Sequence, residues 1–273
     1  MLDGVLDLPD GARLAFDDVG EGPCVALLHP GLWDRRTWDD QLSSFPAAGF
    51  RTVRFDFRGY GRSSRLGGEP YSYVDDLVAL LDALGVDQAA LVGCSVGAQV
   101  AIDATLEHPD RVWALVAVAP GLDGVEPLPE HEAWYDGIEG PIDEAIERGD
   151  VGEGMRLLLE HVWSPLGTDD EGGRRILAIA MDNVHTLTMD ESASRGLDPP
   201  AARRLHEIDV PTLVLKAEHD PPDSRRIGDL IAAGIPGARE MLVEGADHVV
   251  NLRVPERFDE VVLGFLGEVR PRD

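Results

Sequence analysis

The sequence predicts an α/β protein: a mostly parallel eight-stranded sheet with helices on both faces and a helical insertion between two of the later strands. Three observations carry this expectation. Unbroken apolar runs such as Cys24–Leu28, Ala89–Val92 and Val112–Ala119 alternate with helical stretches, the pattern of central strands buried on both faces of a parallel sheet. The rhythm stops after Leu122 and resumes at Thr212. A length of 273 residues accommodates one large domain of this class together with an inserted subdomain.

In chain order, Gly4–Leu8 and Arg13–Asp18 are extended pieces joined by the turn Pro9-Asp10-Gly11, which makes a hairpin. Cys24–Leu28 is the first fully apolar strand and ends in His29-Pro30-Gly31-Leu32. Thr37–Phe45 is predicted helical, because Trp38, Leu42 and Phe45 fall on one face. Val53–Asp56 is a strand that runs into a glycine-rich loop. Tyr73–Leu84 is an amphipathic helix stopped by Gly85. The strand Ala89–Val92 stops at Gly93, and a helix follows Ser95 to about Glu107. Val112–Ala119 is another buried strand. Residues 122–209 then hold the helical pieces Pro141–Arg148, Gly152–Val162 and Gly172–Val184 and no strand-like run. This segment reads as an insertion over the strand ends, dividing the core into 1–121 and 210–273. The strand Thr212–Ala217, helix Asp223–Ala233, strand Ala238–Val243 and helix Pro255–Val269 complete the pattern.

Composition narrows the function. A net charge of −27 repels nucleic acid and anionic membrane, so neither is an expected partner and a small-molecule substrate is. Met1–Asp10 lacks a basic-then-apolar signal pattern, no apolar run approaches a membrane span, and the cytoplasm is the expected compartment. Cys24 and Cys94 both lie in apolar strand contexts, as expected of buried free thiols. His161 and His185 are too far apart in sequence to read as a metal pair, and the loop at 59–61 is not a dinucleotide fingerprint. No metal or cofactor is therefore expected. Monomer and homodimer both stay open.

In open α/β sheets, function sits at the carboxyl ends of the strands. Ser95 lies there, inside Gly93-Cys94-Ser95-Val96-Gly97. On so sharp a strand-to-helix turn its hydroxyl is exposed above the sheet. The strand at 212–217 delivers Glu218-His219-Asp220, and the strand at 238–243 delivers Gly245-Ala246-Asp247-His248. Serine, acid and histidine thus follow one another in chain order. Ser95 needs a base, and His248 can take its proton and return it to a leaving group. Asp220 would orient His248, with Glu218, Asp223 and Asp123 as other acids near enough to consider.

With Leu28-His29-Pro30-Gly31, Asp56-Phe57-Arg58-Gly59-Tyr60-Gly61-Arg62-Ser63 and Trp38 added to these stretches, the chain resembles the α/β-hydrolase superfamily over nearly its whole length outside 122–209. The resemblance implies a serine-hydrolase triad of Ser95, Asp220 and His248 and a helical cap over the pocket. It implies oxyanion-hole amides on Val96 and Gly31. Relatives usually carry His-Gly where this chain has His29-Pro30; proline has no N–H, but the implied donor is one residue further on. Asp247 stands where glycine is usual and is expected to point into solvent. His29 is expected to be structural, Asp56 and Arg58 to brace loops, and Trp33, Trp134 and Trp163 to contribute to the pocket.

The reaction class expected is hydrolysis of a small carboxylic ester or lactone through an acyl-enzyme. The same triad also serves carbon–carbon bond hydrolysis, enol-lactone hydrolysis, acyl transfer and perhydrolysis in relatives, and a non-catalytic ligand-binding module is a further alternative.

Overall fold

The computed structural model describes residues 2–126 and 128–271. Eight strands form one sheet: β1 (Leu2–Asp7), β2 (Arg13–Val19), β3 (Cys24–Leu28), β4 (Arg51–Phe55), β5 (Ala89–Cys94), β6 (Val112–Val118), β7 (Thr212–Ala217) and β8 (Arg239–Val243). Their spatial order is β1-β2-β4-β3-β5-β6-β7-β8. The β1/β2 and β2/β4 pairs are antiparallel, and the rest of the sheet is parallel. Every residue of β3, β5 and β6 is buried, which is why these strands read as continuous apolar runs. The two edges, β1 and β8, are largely exposed, and Asp3, Asp7, Arg239 and Glu240 there discourage edge-to-edge pairing.

The helices are α1 (Gln41–Ala47), α2 (Tyr73–Ala83), α3 (Val96–Glu107), α4 (Pro129–Glu147), α5 (Val151–Leu158), α6 (Glu171–Asp182), α7 (Pro222–Gly234), α8 (Val250–Arg253) and α9 (Pro255–Val269). Strand residues alternate between two apolar layers. Ala26 and Leu28 of β3 join Leu77 of α2, Val100 of α3 and Ile231 of α7. Val25 and Leu27 face the other way, with Phe45 of α1 and Phe258 and Val262 of α9.

Two helical expectations change. Residues 37–45 are not one helix. A 3-10 turn over Arg35–Trp38 starts at Asp34, whose side chain accepts from Arg36 N at 2.9 Å, and α1 follows separately. Side-chain capping by Asp34 places the start earlier than the apolar face suggests. The piece expected at Pro141–Arg148 belongs to α4, which begins at Pro129 and runs through Pro141. Proline lacks one amide and crowds the carbonyl four residues back; here that residue is Gly137, with no Cβ to add to the crowding.

Between β6 and β7 the described residues contain no sheet strand. A third apolar cluster, with Met155, Leu159, Ile176 and Ile179, packs onto Trp33, Val249 and Leu252 above the strand ends. The far end of the segment is pinned by backbone: Tyr71 N donates to Ala193 O at 3.1 Å and Arg195 N to Tyr71 O at 2.8 Å. Lys216, the only lysine of the chain, ion-pairs with Asp229 and Glu240 beside β7. Among the described residues no helix is long and apolar enough to cross a membrane.

Candidate active site

β5 ends in a turn that holds Ser95 at φ 55° and ψ −117°. A non-glycine residue in this region carries strain of about 1–3 kcal/mol and persists only where its surroundings over-determine it. They do so here. Ser95 N donates to Val118 O at 3.0 Å, while Ser95 O accepts from Ala98 N, Gln99 N and Gly121 N at 2.9–3.1 Å. The flanking glycines are sterically required: a Cβ on Gly93 would run into the Gly97 carbonyl, and one on Gly97 into the Leu28 carbonyl. Val96 N is the first amide of α3, so it has no intrahelical acceptor and is available to an anion.

Asp220 and His248 come from neighbouring loops. Glu218 N donates to Val243 O at 3.1 Å and His219 N to Ala246 O at 3.0 Å, which ties the ends of β7 and β8 together. His248 Nδ1 lies 2.7 Å from Asp220 Oδ1, and both side chains are buried. A carboxylate only accepts, so Nδ1 carries the proton and Nε2 is left as the basic nitrogen. The competing acids are otherwise placed or paired. Glu218 accepts from Gly245 N at 2.8 Å, Asp223 pairs with Arg226, and Asp123 lines a different cavity beside α3.

Ser95 and His248 face a common cleft of about 250 Å³, walled by Pro120, Val125, Tyr135, Trp163 and Ile227 with Asp223, Ser224 and Arg226 on α7. Of the three tryptophans expected at the pocket, Trp163 is on this wall. Its ring centroid lies 4.3 Å from that of His248, and its carbonyl accepts from His248 N at 3.3 Å. Trp33 is not on the wall. It is 1% exposed, donates from Nε1 to Ile176 O at 2.9 Å and sits behind His248, at 6.5 Å between centroids. Its indole N–H has a buried acceptor, so it serves as core. Trp134 also lies off the wall. Its ring packs on Tyr135 at 4.8 Å, and Tyr135 takes the place on the cleft. Burial and the nearby Asp223 and Asp220 push the Tyr135 phenol up to about 12, so it stays a neutral donor at ordinary pH.

The loop after β3 brings Gly31 against Val96: a Cβ added at Gly31 would be 3.4 Å from Val96 Cγ2. The two implied oxyanion residues are therefore neighbours. His29 explains how the loop is held despite Pro30. Its Nε2 accepts from Phe57 N at 3.0 Å, so Nδ1 bears the proton and donates to Pro30 O at 2.8 Å. Burial pushes the His29 pKa down and keeps the ring neutral, despite the nearby Asp56. Asp56 accepts from Arg35 N at 2.9 Å and Arg62 N at 2.8 Å, and Arg58 binds Asp76 and Asp10 at 2.6–2.8 Å, so both brace loops. Cys94 is buried with Sγ 3.3 Å from His248 O, and desolvation raises its pKa well above the usual thiol value. Among the described residues no group of three or more His, Cys, Asp or Glu could hold a metal ion.

Asp247 does not point into solvent. It is fully buried and ion-paired with Arg253 at 2.6 Å, and it accepts from Ser164 Oγ at 3.1 Å. Arg253 also reaches Ser164 Oγ, Gly167 O and Asp170 at 2.8–3.1 Å. The expectation failed because α8 sets a buried guanidinium six residues after Asp247. Arg253, Ser164 and Asp170 had no sequence signal of a shared role. Together they clamp the chain just after Trp163, where Leu159–Trp163 forms one π-helical turn.

Asp103, on α3, has its carboxyl pushed up to about 7, by burial first and then by Asp123 and Glu107. The unfolded chain loses this proton near pH 4, whereas the folded chain holds it to near 7. Its contribution to stability therefore falls as pH rises through that window. Asp103→Asn is expected to melt higher than the parent at pH 8 and to show a flatter Tm profile between pH 5 and 8. Parallel profiles in a thermal-shift series would contradict this.

A family model described as "Alpha/beta hydrolase family" matches residues 25–261. The crystal structure of a hydrolase from Pseudomonas aeruginosa is 31% identical with a TM-score of 0.78, over 97% of this chain and 98% of that one. The structure of Est816, described as an N-acyl homoserine lactone degrading enzyme, is 28% identical with a TM-score of 0.74, over 94% and 98%. Among curated proteins, 2-hydroxy-6-oxononadienedioate/2-hydroxy-6-oxononatrienedioate hydrolase of Paraburkholderia phymatum is 26% identical, over 94% of this chain and 91% of that protein.

Proposed function

The chain belongs to the alpha/beta hydrolase family and is a hydrolase, and from that premise we propose that it cleaves small carboxylic esters or lactones through a covalent acyl-serine. The observation that carries this reading is the 2.7 Å contact between His248 Nδ1 and Asp220 Oδ1, with His248 and the strained Ser95 on the same cleft. His248 Nε2 takes the proton of Ser95 Oγ as the oxygen attacks the carbonyl, and gives it to the leaving alkoxide. Asp220 accepts from His248 Nδ1 and stabilises the imidazolium. The amides of Val96 and Gly31 receive the oxyanion, a contribution of roughly 10²–10³ in rate for each donor. Water then attacks the acyl carbon as His248 takes its proton; the bond to Ser95 Oγ breaks, His248 returns the proton to that oxygen, and the acid leaves. The helices between β6 and β7 act as the cap that closes the cleft.

A second reading keeps Ser95, His248 and Asp220 but cleaves a carbon–carbon bond in a vinylogous diketone. The similarity to the Paraburkholderia phymatum hydrolase over 94% of the chain favours it. The similarity to the lactone-degrading structure and the compact cleft favour the first. A fluorophosphonate probe is expected to label Ser95 stoichiometrically, with the adduct located by peptide mass spectrometry. A panel of esters, lactones and vinylogous diketones then ranks the two reactions. An unlabelled, folded protein would remove both and leave a binding module.

A further inference from the structure

Resting on the reading of this cleft as a serine-hydrolase site, we propose that the Asp223–Arg226 pair is its specificity determinant and restricts it to uncharged substrates. Most of the cleft wall is apolar or aromatic: Pro120, Val125, Trp163, Ile227 and Tyr135. Arg226 is the only arginine or lysine on that wall among the described residues, and it is already engaged. Its Nε lies 3.1 Å from Asp223 Oδ1, and its Nη2 donates to Glu126 O at 2.5 Å. Asp223 is in the first turn of α7, where the helix N-terminus favours a negative charge. The carboxylate therefore stays in place as a mask over the guanidinium.

A substrate carboxylate entering this cleft would meet Asp223 and no uncommitted arginine or lysine. Lost water would not be replaced by a charge-assisted hydrogen bond, which makes its desolvation unfavourable. A methyl, an alkyl chain or a lactone ring carries no such cost. The overall charge of −27 acts in the same direction on anions approaching from solution. Asp223 thus acts by specificity, through the state of Arg226, and takes no part in bond breaking.

Two isosteric pairs test this, followed by pH-stat: methyl 4-methylpentanoate against monomethyl succinate, with the charge on the acyl side, and isobutyl acetate against acetoxyacetate, with the charge on the alcohol side. In the native protein kcat/KM is expected to be roughly tenfold or more lower for the anionic member of at least one pair. In Asp223→Asn the guanidinium is unmasked and that ratio is expected to shift toward the anion by a similar factor, mainly through KM. Asp223→Asn/Arg226→Gln is expected to cancel the shift. Rates are expressed per Ser95 labelled by fluorophosphonate. Failure of labelling with absent ester turnover would therefore sink the hydrolase reading, which is a different result from failure of this inference. If Asp223→Asn does not fold, Asp223→Ser serves in its place, and Arg226→Gln alone is expected to weaken any residual anion turnover. Equal rates within both pairs in the native protein, or an unchanged ratio on unmasking, would overturn the proposal.

Discussion

Replacing Ser95 by alanine is expected to lower turnover of p-nitrophenyl butyrate by about four orders of magnitude or more while the fold is retained. The attacking oxygen is gone, and no other nucleophile shares its position. Cys94 is buried, points to the carbonyl of His248 and has a pKa raised well above the usual thiol value, so it cannot substitute. Alanine also keeps the contacts that hold residue 95 in the turn, because these run through its backbone. Circular dichroism and Tm should therefore match the parent or exceed it, as strained functional sites often gain stability when simplified. His248→Ala is expected to cost about as much, and Ser95→Ala/His248→Ala little more than either, because members of such a set act as a unit. Ester turnover within tenfold of the parent in a purified Ser95→Ala protein would end the assignment.

Arg253→Met is expected to destabilise the protein by about 3–5 kcal/mol, since it leaves Asp247 buried without its counter-charge. For a chain of this size that corresponds to a fall in Tm of roughly 10 °C. The effect reaches the site by a short route. Arg253 holds Ser164, Gly167 and Asp170, and Trp163 immediately before them lies against the His248 ring. Loss of the clamp should raise KM more than it lowers kcat, because the wall moves while Ser95 and Asp220 stay. Asp247→Asn/Arg253→Met should recover much of the lost Tm, since the unpaired charge is gone. A single variant that melts within 2 °C of the parent, on the scale of roughly 1 kcal/mol, would show that the buried pair is not the anchor described.

The proposed triad is the part of the site most legible in the sequence. Ser95, Asp220 and His248 each follow an apolar strand, and strand ends in such a sheet converge in space. The sheet was legible for the same reason: strands buried on both faces, such as β3 and β6, leave continuous apolar runs. What the sequence hid depends on contacts across the chain. Asp247 and Ser164 are 83 residues apart, and no local pattern says that the carboxylate next to His248 turns inward. Trp33 and Trp163 are chemically alike and both approach His248, yet one is core and the other cleft wall. Only the packing of α6 against the loop at 32–33 decides it. The reach of α4 back to Pro129 was hidden by Pro141, which reads as a helix start and sits in mid-helix.

The solitary lysine has a chemical consequence for anyone measuring this protein. Activated esters acylate free amines, and such background usually blurs counts of acylated sites. Here Lys216 is held by Asp229 and Glu240, which raise its pKa and keep it protonated, so its nitrogen lone pair is withheld. Apart from the α-amino group, the chain offers an acylating reagent almost no competing amine. Burst stoichiometry with p-nitrophenyl esters should accordingly count functional serines directly, with little correction for labelling at the surface.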